Sequence, residues 1–369
     1  MIRILSIVWY KVLPPTYGGQ KGIALFNKHL STHFPLVCLC SHNNKPANDL
    51  SYKLLPQLPV NKFQFVNPFC WIKIIRTVKK EKVSHIILEH PYHGIAGFFA
   101  KNFAGIKLIV HSHNIESLRF KEQGKWWWRI LSWYEKWTHG KADLTLFKTN
   151  EDLQYALLNF KLQKNKCMVL PYGIEQTKTP EHFTADKLIR DRHGISNDEM
   201  IILFAGTLDY TPNKKAVVDL SQKVIPLLTE KKLPFKIIVC GRNQLNDFPD
   251  NINHPLLSMT GEVDDIENYF VAADLFVNPV QSGGGIQTKT IDALGYHLNV
   301  VCFKNMLAGI NEHLCNGKIF SAERGNWNEF ADLVIKALAI NESKTPDDFF
   351  RYYSFATQTE KFAARLKSL

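Results

Sequence analysis

Residues 282–292 read SGGGIQTKTID: three consecutive glycines followed by a helix-like segment. Glycine lets a backbone approach a ligand closely and adopts positive φ at no steric cost. A helix that opens just after such a loop turns free N–H groups, and the positive end of its dipole, back toward it. Phosphate or diphosphate suits that combination. Lys289 and Asp292 lie three residues apart on one helix face, so a cation for phosphate and a carboxylate for ribose hydroxyls would stand together. A glycine-rich turn without any ligand is spelled the same way, so the rest of the chain must decide.

Three more apolar runs end in glycine: Gly206 with Thr207 and the turn Asp209–Asn213, Gly241 with Arg242, and Gly261 with Glu262 and Val263. Open α/β sheets bind ligands beyond the carboxyl ends of their strands, and four such ends predict a nucleotide cleft. Gly18-Gly19 follows the first strand-like run and offers a second anion site, without the G-x-G-x-x-G spacing of a dinucleotide fingerprint. Alternation along 107–113 puts His111 and His113 on one face. A histidine there could bind a sugar hydroxyl or move a proton, or it could be a hydrogen-bonded structural residue. No Ser-His-Asp order, no H-E-x-x-H and no second ligand pair beside Cys38 and Cys40 is present, so no metal site is expected. Asp264-Asp265 and Asp347-Asp348 read as helix N-terminal charges.

These residues need a scaffold. Short apolar runs at 3–9, 36–40, 84–90, 107–113 and 144–149 alternate with helix-like segments that include 125–140, and the pattern restarts at 201–206 and 235–241. Strand–helix alternation predicts parallel sheets with helices on both faces. At 369 residues the chain exceeds one ordinary core. The expected fold class is α/β with two Rossmann-like, doubly wound domains. The first spans 1–170, the second 171–345, and the polar stretch 175–199 is the expected connection between them. Residues 346–369 predict a helix that packs back on the first domain.

Charge is divided unevenly. Residues 1–170 hold 24 Lys/Arg against 9 Asp/Glu, whereas the whole chain is only +11. A basic half can meet an anionic lipid surface or an acidic polymer, or it is an ordinary solvated surface; nucleic acid is not expected. Within it, Lys125–Trp137 mixes Trp, Tyr and basic residues as membrane interfaces do, although Trp126, Trp133 and Trp137 could equally fill core beneath the sheet. The apolar N-terminus reads as a first strand rather than a leader, and no run reaches the ~18 apolar residues of a span. Seven cysteines in mostly apolar runs predict free thiols and a cytoplasmic setting, with peripheral attachment to the inner membrane face as the variant.

With these residues in view, the chain resembles GT-B glycosyltransferases, specifically the large family 4 (group 1) of bacterial sugar transferases. VLPYGIE (169–175), FAGTLDYTPNKKAV (204–217), KIIVCGRN and above all residues 260–301 carry the resemblance. It implies two Rossmann-like domains facing an interdomain cleft, a nucleotide-sugar donor (UDP- or GDP-linked) held by the second domain, and no essential cofactor or metal. By position, Gly261, Glu262 and Val263 would border the base and Asp292 would hold the ribose. Gly283, Gly284, Gly285, Ile286 and Lys289 would cradle diphosphate and sugar, with Gly206, Thr207 and Arg242 nearby. Gly18 and Gly19 would face the phosphates and acceptor. His113, with His111 as its competitor, would stand beside the transferred sugar.

The implied activity is retaining transfer of a hexose-type sugar to a hydroxyl of a surface glycan, a polysaccharide or lipid-linked oligosaccharide. The chain departs from the family pattern: Gly284 and Asp292 stand where many members carry two glutamates, Thr207 replaces an Arg, and Gln281 another. Those departures keep open a catalytically weak scaffold or binding protein. A sugar-nucleotide epimerase of the same fold is the other alternative.

Overall fold

The computed structural model describes residues 1–46, 50–175, 180–242, 248, 252–283, 286–340 and 344–369. The chain divides into two compact units, one built mainly from Met1–Gly173 with Tyr352–Leu369, the other from Ile174–Gly283 with Gln287–Arg351.

In the first unit the order is β1 (Ile4–Val8), α1 (Gly18–Ser31), β2 (Leu36–Ser41), β3 (Lys53–Leu58), α2 (Pro68–Lys80), β4 (His85–Glu89), α3 (Gly94–Ala104), β5 (Lys107–Ser112), α4 (Glu116–Glu122), α5 (Trp128–Lys141), β6 (Leu144–Phe147), α6 (Asn150–Tyr155) and β7 (Cys167–Val169). The seven strands pair in parallel in the order β3-β2-β1-β4-β5-β6-β7. β1 is buried at every residue, as expected of a parallel strand covered on both faces. β3 carries Pro56 and lies at the edge, the place where a strand tolerates the missing donor. Leu5, Ile7, Leu39, Ile86, Leu88 and Val110 centre the core under α2 and α3.

The second unit runs α7 (His182–His193), β8 (Met200–Ala205), α8 (Thr211–Asp219), α9 (Ile225–Glu230), β9 (Phe235–Cys240), β10 (Leu257–Gly261), α10 (Ile266–Ala272), β11 (Leu275–Asn278), α11 (Thr288–Gly295), β12 (Asn299–Phe303), β13 (Ile319–Ala322), α12 (Trp327–Leu338) and α13 (Asp347–Tyr352). Its six strands pair in parallel as β10-β9-β8-β11-β12-β13. A π-helical turn at Leu220–Val224 joins α8 to α9, just before Pro226. Proline has no N–H for the α-helical bond, and a widened turn absorbs the lost donor.

Several elements differ from the sequence expectation. The polar stretch 175–199 contains α7, whose N-cap Glu181 accepts from the Thr184 N–H, and α7 packs on α10. Residues 346–369 form two helices rather than one, α13 and then α14 (Phe355–Lys367), which Ser354 caps by accepting from the Thr357 N–H. α14 belongs to the first unit and packs on α1, with the Phe362 and Phe26 rings 5.8 Å apart. Phe355 sits so tightly on Gly173 that a Cβ there would come within 2.5 Å of its ring. None of the three fills the core: Trp137 is half-buried against Phe98, 5.5 Å away, and Trp126 and Trp133 are 82% and 69% exposed.

Candidate active site

Both sheets reverse their strand order once, between β1 and β4 and between β8 and β11. A doubly wound sheet opens a crevice at such a switch point, past the carboxyl ends of the strands. The second unit's switch therefore sets the loop after Ala205 beside the loop after Asn278, which are the Gly206 and Gly283 loops of the sequence reading.

The contacts there are close. Gly206 bonds its N–H to the Cys240 carbonyl, Gly241 to that of Gly261, and Leu208 to that of Arg242. A Cβ on Gly241 would lie 1.9 Å from the Gly206 carbonyl oxygen, so no other residue fits. Gly283 has φ +118 and lies against the Tyr210 hydroxyl, 2.8 Å from where its Cβ would be. Asn213, at the start of α8, donates to the Thr207 carbonyl (2.9 Å) and accepts from Lys289 Nζ (2.9 Å).

Lys289 extends from the first turn of α11 over the Phe204 ring, with Nζ 4.4 Å from its centre. Among the described residues, no carboxylate pairs with this ammonium. Burial pushes it down to about 7. Asp292 stands one turn further along α11, half-buried. Gly261 closes β10 with φ +73, and Glu262 after it is exposed and Val263 half-exposed.

Arg242, expected near phosphate, and Gln281, which stands where relatives carry Arg, are engaged elsewhere. Arg242 gives Nε and Nη2 to Asp209 Oδ2 (3.1 and 2.9 Å), and Gln281 donates to Asp219 Oδ2 (3.2 Å). Asp265 is likewise no simple helix cap: Arg192 grips both its oxygens, at 3.2 and 3.0 Å. Gly284 and Gly285 lie outside the described residues; Ile286, just before α11, is half-buried.

In the first unit, Gly18 and Gly19 open α1 after the extended Tyr17, whose ring lies 3.2 Å from where a Gly19 Cβ would be. At the switch point a larger cluster forms. His113 Nε2 bonds Glu89 Oε2 at 2.7 Å, and His111 Nδ1 lies 2.9 Å from the same oxygen. Burial, reinforced by positive neighbours, holds both imidazoles well below their ordinary range, against the pull of Glu89 on His113. These three side chains have the composition of a metal-ligand set, with one ligand atom each inside a 4.8 Å span. Ligands on a shared tetrahedral zinc with bonds of about 2.05 Å stand roughly 3.3 Å apart. The closer spacing of His113 to Oε2 is that of a hydrogen bond, whereas neither His111 nitrogen makes one among the described residues.

Next to them, His90 Nδ1 lies 3.3 Å from Glu116 Oε1. Glu116 also accepts from Tyr92 (2.6 Å) and pairs with Arg119. Burial alone would raise the Glu116 carboxyl, but His90 and Arg119 overcome it and hold it at about 2. Glu135 on α5 accepts from the Glu116 and Ser117 N–H groups (2.8 and 3.0 Å), fixing the start of α4.

Two family models match this chain: the model for group 1 glycosyl transferases over residues 199–339, and that for glycosyltransferase family 4 over residues 31–178. The chain belongs to the family 4 (group 1) glycosyltransferases. Its fold is that of solved GT-B structures. A glycosyltransferase from Rickettsia africae ESF-5 matches with TM-score 0.73 at 14% identity, covering 99% of this chain and 98% of that one. HepE of Anabaena, solved with UDP and glucose, matches with TM-score 0.73 at 15% identity over the full length of both. Sucrose-phosphate synthase of Thermosynechococcus elongatus gives TM-score 0.76 at 11% identity, covering 99% and 98%. A curated relative, TuaC of Bacillus subtilis (strain 168), provisionally described as a teichuronic acid biosynthesis glycosyltransferase, is 28% identical over 160 residues. That match covers 42% of this chain and 38% of TuaC.

In this glycosyltransferase the sequence reading overlooked Glu89, His90, Glu116 and Lys148. Lys148 follows β6, is 4% exposed, and is pushed down to about 8 by burial, with Glu89 pulling the other way. One signal was available: Glu89-His90 ends a strand just as His111–His113 does.

Proposed function

We propose that the protein moves a sugar, with retention, from a UDP- or GDP-sugar to a hydroxyl of a growing surface glycan, polysaccharide or lipid-linked oligosaccharide, and needs no metal to do so. Lys289 carries the reading. A buried ammonium that rests on a phenyl ring and an amide, beside glycine loops and a helix N-terminus, is incomplete without an anion. A diphosphate completes it. As the glycosidic bond breaks, negative charge grows on the leaving diphosphate, and Lys289 with the N–H groups of the glycine loop offsets it.

On this reading Gly206, Thr207 and Gly283–Ile286 line the diphosphate and sugar, Asp292 holds the ribose, and Gly261, Glu262 and Val263 border the base. Arg242 reaches phosphate only by leaving Asp209. Gly18, Gly19 and His113 serve the first unit's side of the reaction, His113 beside the transferred sugar. HepE, solved with UDP and glucose, supports the donor class. The description of TuaC supports a glycan acceptor. Retention rests on the family.

Attachment to an anionic membrane from the cytoplasmic side completes the proposal. α2, α3 and α5 lie side by side, and they and their flanks expose Phe69, Ile72, Phe103, Trp126, Ile130 and Trp133 among basic residues. Such a mixture partitions into the lipid headgroup region. No helix among the described residues is long and apolar enough to cross a membrane.

Thermal melts with UDP, GDP and their sugars test the donor site. A ligand at a hundredfold its Kd adds about 2.7 kcal/mol. Stabilisation by one nucleotide and its sugars is expected; none at millimolar concentration refutes the donor site and favours the weak scaffold.

A further inference from the structure

His90 has φ +73 and ψ 158. Only glycine adopts that region readily; any residue with a Cβ is strained there. Pro91 accounts for the extended ψ, since the residue before proline is pushed out of the α region. It does not account for the positive φ. The surroundings enforce it. The His90 N–H bonds the His111 carbonyl (3.0 Å), and the imidazole is packed between the rings of His113 (4.6 Å) and Tyr92 (5.9 Å). Glu116 and the Tyr10 hydroxyl, 3.5 Å from Nε2, flank its two nitrogens. A glycine would satisfy the backbone better, so the imidazole itself is what the strained position retains.

Exposure separates the groups that reach the surface from those that do not. The side chains of Glu89, His111 and Glu116 are 0% exposed, whereas His90 and His113 keep 11% and 13% at the surface. Two buried carboxylates thus stand behind two imidazoles that reach outward. Glu116 pairs with Arg119, and Glu89 holds His113 through Oε2. At the surface of this cluster stand ring nitrogens and the Tyr10 hydroxyl, groups that exchange hydrogen bonds. The chemistry fits an uncharged, hydroxyl-rich ring.

We propose that His90, braced by Glu116, is a substrate-contacting residue of a neutral-sugar subsite at the carboxyl ends of β4 and β5. This rests on the sugar-transfer reading. The sugar is either the one carried by the donor or the ring of the acceptor, and the two are separable by experiment.

Three proteins are compared: wild type, His90→Gly and His90→Ala. Alanine removes the imidazole and keeps the Cβ; glycine removes both. If the strain is real, the glycine variant melts above the alanine variant by several degrees, at about 2–4 °C per kcal/mol for a unit of this size. Nucleotide binding by wild type, UDP or GDP, reports on the donor site alone. If neither binds, the sugar-transfer reading fails by a result independent of the two variants.

With the nucleotide that binds, the donor arm compares its affinity with that of its glucose or mannose conjugate. The acceptor arm measures KM for octyl β-D-glucoside. Both variants are expected to bind the bare nucleotide as wild type does. They are also expected to lose about tenfold in one sugar-dependent quantity: the conjugate's affinity if the sugar is the donor's, acceptor KM if it is the acceptor's. An alanine variant at least as stable as the glycine variant, or no loss in either arm, overturns the proposal.

Discussion

Replacing Lys289 by Met keeps the apolar stem and removes the charge. Burial lowers this ammonium from 10.5 to about 7, which at ~1.4 kcal/mol per pH unit puts a ceiling of about 5 kcal/mol on the penalty against its charged form. The sign follows from proton counting. Between pH 7 and 10.5 the unfolded chain binds the proton and the folded one does not, so this residue makes stability rise with pH in that window. Its cost is fully present below pH 7. Lys289→Met should therefore melt above wild type at pH 6, by about 1–3 kcal/mol after loss of the Asn213 and Phe204 contacts, with the gap closing toward pH 10.5.

A bound diphosphate reverses the balance and restores the proton. Titration calorimetry with the nucleotide sugar, in two buffers of different ionisation enthalpy, should register uptake of about 0.5 proton at pH 7 and about 0.9 at pH 8. The sugar conjugate is the right probe because its diphosphate has no group titrating near neutrality. The Met variant should show no uptake and bind at least a hundredfold more weakly, as expected for a lost charge-assisted contact worth about 3 kcal/mol. Equal heats in both buffers together with unchanged affinity in the variant would refute the reasoning.

Gly241→Ala should lower stability by about 2–4 kcal/mol in a urea melt, because its methyl meets the Gly206 carbonyl at 1.9 Å. Gly261→Ala, with φ +73 but open space around it, should cost only about 1 kcal/mol. Glu116 is held at about 2 against an ordinary 4.5. Its contribution is therefore complete above pH 4.5 and lost as pH falls toward 2. Glu116→Gln should flatten the acid limb of the melting curve in that interval. Changing Trp126, Ile130 and Trp133 together to Ser should cut retention on anionic vesicles by tenfold or more while the melting temperature stays within about 2 °C. Undiminished retention in low salt would locate membrane contact elsewhere.

The two parallel sheets were legible because runs such as IILFA, FKIIVC and NVVCF are long, β-branched and closed by glycine or a polar turn. β3 escaped because Pro56 reads as a breaker, and only its edge position makes it tolerable. β13, IFSA, is four residues long and half-buried, too short for a pattern. The close packing of the second unit's glycine loops was readable because glycine is a backbone specification: Gly206, Gly241 and Gly283 announce close approach in a single residue. The histidine cluster was not readable. Glu89 and Glu116 look like ordinary surface charges 27 positions apart, and only the pairing of β4 with β5 brings them to one place. The φ of His90 is set by what surrounds it and leaves no trace in the letters EHPY.

The contact of Phe355 with Gly173, together with α14 on α1, has a consequence for how the protein is made. A ribosome delivers residue 173 long before residue 355. The second unit's residues all emerge in the interval, and its sheet can close by itself. The first unit must wait, with the part of α1 that faces α14 uncovered, until α14 is released. Translation thus finishes the later unit first. Loss of α14 would leave the second unit intact and deprive the first of its closing piece.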